Sequence, residues 1–219
     1  MNYAEFLLWV RGDAFHWSLA IFIFGVTLRL LEIILLGRKA NLAEKRGSGV
    51  AGGVRTIFSR FVPNQAVLPR VVTTVVAGYV FHIGLFISLL FFAPHIVLFE
   101  AALGFGWPSL PNAIIDFATI MAILGLIALF INRLTNPVLR MLTGFGDWFV
   151  WFVTLLPLVT GFMAFHHLVE PYPLMLALHI LSVELLLIVF PFTKLMHTFT
   201  LFLARYYTGE NAGHRGVEI

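Results

Sequence analysis

Five stretches of this chain are apolar on every face rather than on one. The runs His16–Leu36, Val71–Phe92, Ala113–Ile131, Trp148–Phe165 and Leu174–Met196 are strongly apolar and carry few charges, and each is close to the roughly 20 residues that a helix needs to cross a hydrocarbon core. A helix that is apolar all round has lipid or protein on every side. The pattern therefore predicts an all-α integral membrane protein. We read one membrane domain, 1–219, with spans at about 16–36, 71–92, 113–131, 148–165 and 174–196 and a basic loop over 37–70. Acidic Glu5 and Asp13 precede the first run and no small-residue cleavage site follows it, so it reads as a retained span rather than a signal peptide.

The polar positions between the runs set the expected orientation. Arg38, Lys39, Lys45, Arg46, Arg55, Arg60 and Arg70 lie between spans one and two, and Arg133 and Arg140 between three and four, whereas the loops after spans two and four have neither Lys nor Arg. Positive residues stay on the cytoplasmic side. The amino terminus is thus expected outside and the carboxyl terminus in the cytoplasm, in agreement with Lys194, Arg205 and Arg215. Within the basic loop, Gly47 to Gly53 reads as a flexible turn. The RTIFSRF segment after it reads either as a strip along headgroups or under a partner, or as a plain solvated loop.

Composition narrows the chemistry. The chain is 60% hydrophobic and 11% charged, far from the roughly 25% charge of a soluble domain. It has no cysteine, which excludes disulfides, thiolate metal sites, iron-sulfur clusters and a covalently attached haem within this chain. The net charge of +3 comes from residues in the gaps between spans. That is a topology signal and not a nucleic-acid stripe.

Eight histidines remain as metal ligands. His179 and His197 are 18 residues apart, five turns of an unbroken helix and about 27 Å along its axis, which predicts one ring near each membrane surface on a shared face. His82 in span two is expected near the cytoplasmic end, level with His197 because the two spans are antiparallel. Two neutral imidazoles on facing helices suit the axial positions of a b-type haem. The plainer reading of any single histidine is a hydrogen bond to a neighbouring helix.

The sequence FHIG from Phe81 to Gly84, the run RLTNPVLR from Arg133 to Arg140 followed by Asp147, the stretch from His179 through FPFTKLMH to His197, and FxxGxxxR from Phe22 to Arg29 resemble the gamma subunit of respiratory nitrate reductases. The wider family includes the similar membrane cytochromes of sulfite reductase-linked and heterodisulfide reductase complexes. The resemblance implies a five-helix cytochrome b with two haems b. It also implies electron exchange between membrane quinone and a cytoplasmic iron-sulfur partner subunit, in the bacterial inner membrane. In that pattern a second ligand follows the first in span two by ten residues, where this chain has Phe92. His95 is the nearest substitute, with Pro94 before it able to re-aim the ring. On an undistorted helix His95 would point about 140° away from His82. His166, His167 and His16 compete as partners of His179, and His95 can equally be an interfacial residue of the outer loop.

Other charged groups inside the spans need a reason for being there. Arg29 and Glu32 form an i,i+3 pair that is either self-neutralising or leaves Arg29 for a haem propionate. Glu184 and Asp116 are candidates for proton transfer beside quinone, Asp116 alternatively favouring the positive end of its helix. The expected function is a quinone-reactive haem b subunit of an oxidoreductase complex. Its terminal substrate chemistry lies in another subunit, and no residue of this chain acts on that substrate. The alternative is a haem-free membrane anchor or a small proton-coupled transporter.

Overall fold

The computed structural model describes residues 2–37 and 41–217. Among these every regular element is helical: α1 (Tyr3–Trp9), a π turn (Val10–Ala14), α2 (Phe15–Leu35), α3 (Gly49–Ser59), α4 (Leu68–Phe91), α5 (Ala93–Leu103), α6 (Asn112–Thr135), α7 (Pro137–Leu142), α8 (Phe145–Phe165), α9 (Tyr172–Val189), 3-10 turns at Phe190–Phe192 and Lys194–Met196, and α10 (His197–His214). Five helices are long and apolar enough to cross a bilayer: Tyr3–Leu35, Leu68–Phe91, Asn112–Thr135, Phe145–Phe165 and Tyr172–Phe192. Each overlaps one expected span. The protein is a multi-pass membrane protein whose spans turn large side chains such as Phe24 and Phe117 outward, 71% and 67% exposed.

Three boundaries depart from the sequence reading. The first helix begins at Tyr3 rather than near His16, because Asn2 and Glu5 form a reciprocal capping box, Glu5 N–H to Asn2 Oδ1 at 2.8 Å and Asn2 N–H to Glu5 at 2.9 Å. The fifth span does not run unbroken to Met196. Its α-helix stops at Val189, where Pro191 supplies no N–H and Thr193 is extended with φ −126°. The five-turn register that would put His179 and His197 on one face is therefore broken between them. The Gly47 to Gly53 stretch is also not a flexible turn, since Gly49 opens α3 behind a Ser48 cap. Arg38 and Lys39, two of the basic-loop charges, lie outside the described residues.

The chain packs as two compact units. One comprises the chain up to Leu19 with Val71–Leu187, and the other Ala20–Arg70 with Ile188 onward. The core of the first is built by Phe81, Ala122, Leu126 and Leu158, with Leu85, Trp151 and Leu155 against them. Glycine sets the closest approach here: a Cβ at Gly125 would lie 2.9 Å from the Ala77 carbonyl and from the Phe81 nitrogen, so α6 meets the α4 backbone directly. Polar links add to this, Ser88 Oγ of α4 to Thr119 Oγ1 of α6 at 2.7 Å and the Trp151 indole N–H of α8 to the Leu126 carbonyl of α6 at 2.9 Å.

In the second unit α3 lies against α10 along glycines. A Cβ on Gly52 would meet the Gly209 carbonyl, and one on Gly209 would meet the Gly52 carbonyl and the Thr56 hydroxyl. Arg205 donates to the carbonyls of Ile57 and Arg60, each at 3.1 Å, and closes this hairpin-like pair. In the same unit the Pro191 ring fills the space beside Gly25, 2.7 Å from where a Cβ would sit.

Candidate functional site

The site of interest is built at a helix break. Helix α4 ends at Phe91, Phe92 is extended (φ −80°, ψ 127°), and α5 restarts with Pro94 in its first turn, a position where the missing N–H costs nothing. The break removes the constraint of a continuous helix on the direction of His95. Its imidazole lies beside that of His179 from α9, with ring centroids 6.3 Å apart and planes 21° from parallel. Phe92, the residue at the expected ligand position, packs edge-on against His95 at 5.2 Å and against Phe165 of α8 at 5.0 Å.

Both rings are held through Nδ1. His95 Nδ1 donates to the Ser88 carbonyl at 3.1 Å, and His179 Nδ1 lies 3.3 Å from the Thr160 hydroxyl, which itself donates to the Leu156 carbonyl at 2.6 Å. Thr160 is thereby an acceptor toward His179. The Ser182 hydroxyl donates to the His179 carbonyl at 2.6 Å and lies 3.0 Å from Thr160. A proton fixed on Nδ1 puts the ligand lone pair on Nε2, the usual outer-shell arrangement for metal-binding imidazole. Burial pushes the His95 imidazole below its ordinary value of 6.5, which keeps the ring neutral, as ligation requires.

A metal held between the two imidazoles, with metal–nitrogen bonds of about 2 Å, would set their centroids about 6 Å apart, against 6.3 Å between these stacked, near-parallel rings. Among the described residues no group of three or more His, Asp or Glu side chains gathers into a metal site. Gly161 completes the arrangement, since a Cβ there would lie 2.9 Å from His179 Cε1.

The other sequence-selected residues separate. His166 Nε2 bonds Asp116 Oδ1 at 2.9 Å, His167 takes a left-handed conformation (φ 51°) and stacks on Tyr172 at 4.4 Å, and His16 is exposed on α2. In the first unit His82 Nδ1 is 2.7 Å from the Gly78 carbonyl, with Phe81 at 4.7 Å. In the second, His197 Nδ1 is 2.8 Å from the Lys194 carbonyl. Arg29 is held by Glu32 at 2.8 Å and by the Pro191 carbonyl at 3.3 Å. It borders a cleft of about 310 Å³ with Thr193, Met196 and Thr200. Glu184 is 4% exposed and its Oε1 has no hydrogen-bond partner among the described residues. Sequence reasoning passed over Thr160, Gly161 and Ser182. Their signal was a cluster of small and hydroxyl residues inside otherwise apolar spans.

No family model and no solved structure matches the chain. It is 37% identical over 205 residues to a protein of Nitratidesulfovibrio vulgaris (strain Hildenborough), a match that covers 91% of this chain and 90% of the relative. The chain therefore belongs to the same family as that Nitratidesulfovibrio vulgaris protein, which it matches over nearly the whole length of both.

Proposed function

We propose that this protein is a membrane cytochrome b subunit that carries electrons between quinone in the bilayer and a cytoplasmic iron-sulfur partner. The observation that carries the reading is the His95 and His179 pair, with centroids 6.3 Å apart and both Nδ1 atoms occupied. A haem bound there supplies one-electron redox chemistry in an apolar surround, its potential tuned by axial ligands and burial. The chain's own part would be to hold two neutral imidazoles side by side, fix their tautomers through Ser88 and Thr160, and exclude water with Phe92 and Phe165. His82 and His197 are each ligand candidates on the sequence argument, each with Nδ1 on a backbone carbonyl. Arg29 is a candidate for a propionate contact, and Glu184 for proton transfer near quinone.

In this reading the amino terminus is outside the bacterial inner membrane and the basic segments around Arg46, Arg140 and Arg205 face the cytoplasm. Reporter fusions after Arg46, Arg140 and Tyr207 then report cytoplasm, and fusions near Gly104 and Glu170 report the outside.

The test of the cytochrome reading is the absorption spectrum and haem-to-protein ratio of the purified protein. Reduced alpha and Soret bands, with one component lost alike in His95→Ala and His179→Ala, are expected. A folded, colourless protein overturns the reading in favour of a haem-free anchor or proton-coupled transporter.

A further inference from the structure

Asp116 and His166 were separate candidates in the sequence, one for proton transfer and one for haem ligation. In the structure they form one unit. Asp116 sits in the second turn of α6 and His166 immediately follows α8, with His166 Nε2 2.9 Å from Asp116 Oδ1. The His166 and Asp116 side chains are 34% and 29% exposed respectively, open enough for a lipid-soluble molecule to reach yet half withdrawn from it. A run of edge-on ring contacts leads from this pair to the imidazole site. His166 packs on Phe165 at 5.1 Å, Phe165 on Phe92 at 5.0 Å, and Phe92 on His95 at 5.2 Å.

We propose that the His166 and Asp116 dyad is the proton acceptor for hydroquinone oxidised beside the His95 and His179 site, an inference that rests on the cytochrome reading. Oxidation of a hydroquinone to the quinone breaks two O–H bonds and releases two protons and two electrons. A haem held by His95 and His179 would accept the electrons one at a time. The protons need a base at the membrane edge. Asp116, accepting the Nε2–H, holds His166 in the tautomer whose Nδ1 carries the lone pair, and that atom takes a proton from the hydroquinone oxygen. The imidazolium formed is stabilised by the Asp116 carboxylate and returns its proton to water through its partly exposed edge, which readies the ring for the second proton. In this scheme His166 touches the substrate and Asp116 is a positioning residue, the division of labour of a base and its orienting carboxylate. The competing role for the pair is a simple tie between α6 and α8.

The experiment uses the full-length protein in lipid nanodiscs with menadiol as reductant and menadione as the binding probe, comparing Asp116→Asn, Asp116→Glu and His166→Gln. Haem content, the dithionite-reduced spectrum and thermal midpoint are read first. Menadione affinity follows from quenching of tryptophan fluorescence, and the rate of haem reduction by menadiol from stopped flow. Expected are unchanged haem content and menadione affinity within about twofold, with reduction slowed by about 100-fold in His166→Gln and about 10-fold or more in Asp116→Asn. Asp116→Glu restores most of the rate. Unchanged reduction rates in a haem-replete Asp116→Asn and His166→Gln overturn the dyad's role and leave the cytochrome reading intact. Loss of haem or thermal stability in both variants, not recovered by Asp116→Glu, also overturns it in favour of a structural tie. A haem-free unmodified protein overturns the cytochrome reading, and the dyad's role falls with it.

Discussion

Gly161 presses its backbone against the imidazole of His179: a Cβ at that position would lie 2.9 Å from Cε1 and 3.2 Å from Nδ1 of the ring. The neighbour that must yield is a side chain rather than backbone. Substitution therefore moves the His179 ring more than it unfolds the helix. Gly161→Ala is expected to fold with a loss of no more than about 1–3 kcal/mol, while the haem component assigned to His95 and His179 is lost or spectrally shifted. Haem quantification beside a thermal melt checks this. An unaltered spectrum in a folded Gly161→Ala protein would show that the His179 ring position does not matter for cofactor binding.

The inner pair makes a separate prediction. If His82 and His197 each bind iron, replacing either with Ala removes a spectral component and leaves the His95 and His179 component in place. Low-temperature difference spectra of the two variants decide it. Removal of different components means the two histidines serve different sites.

A third prediction concerns the glycine contact of α3 with α10. Gly209→Ala brings a methyl group onto the Gly52 carbonyl and the Thr56 hydroxyl, where overpacking costs about 1–3 kcal/mol. Limited proteolysis should then open α3 first. Gly78→Ala is the control, because nothing lies within 4 Å of a Cβ there and the helix gains about 0.5–1 kcal/mol from the substitution. Equal protease sensitivity in the two variants would contradict the close contact.

Stability should also depend on pH through His95. Its folded value is pushed below 6.5 by burial, so the unfolded chain takes up this proton before the folded one does. Above about pH 6.5 the group contributes nothing to the pH dependence. As pH falls below that value stability is lost, and the loss ends once the folded value has been passed. Haem-free protein in detergent should therefore melt progressively lower as the pH drops from about 7 toward about 5, and His95→Gln should flatten part of that slope. A slope identical in His95→Gln would remove His95 as its source.

Much of this protein is decided by local sequence. In lipid every backbone polar group must be satisfied within its own segment, so a run of some 20 apolar residues determines a helix with little reference to the rest of the chain. For that reason all five spans were legible from hydropathy, and the clustering of Arg and Lys in alternate gaps was equally plain. The absence of cysteine left histidine as the candidate ligand type without any structure. Ring direction was another matter. His95 was legible as a candidate, but on a continuous helix it would face away, and only the break at Phe92 with Pro94 beyond it frees its direction. The break at Phe190–Phe192 acts the other way, ending a register that counting residues between His179 and His197 assumes. Gly161 against His179, Asp116 with His166 and Gly52 against Gly209 join residues far apart along the chain. Hydropathy carries no information about which polar or small face of one apolar helix meets which face of another. Side-chain packing and interhelical hydrogen bonds decide that, and they exist only once the helices are side by side.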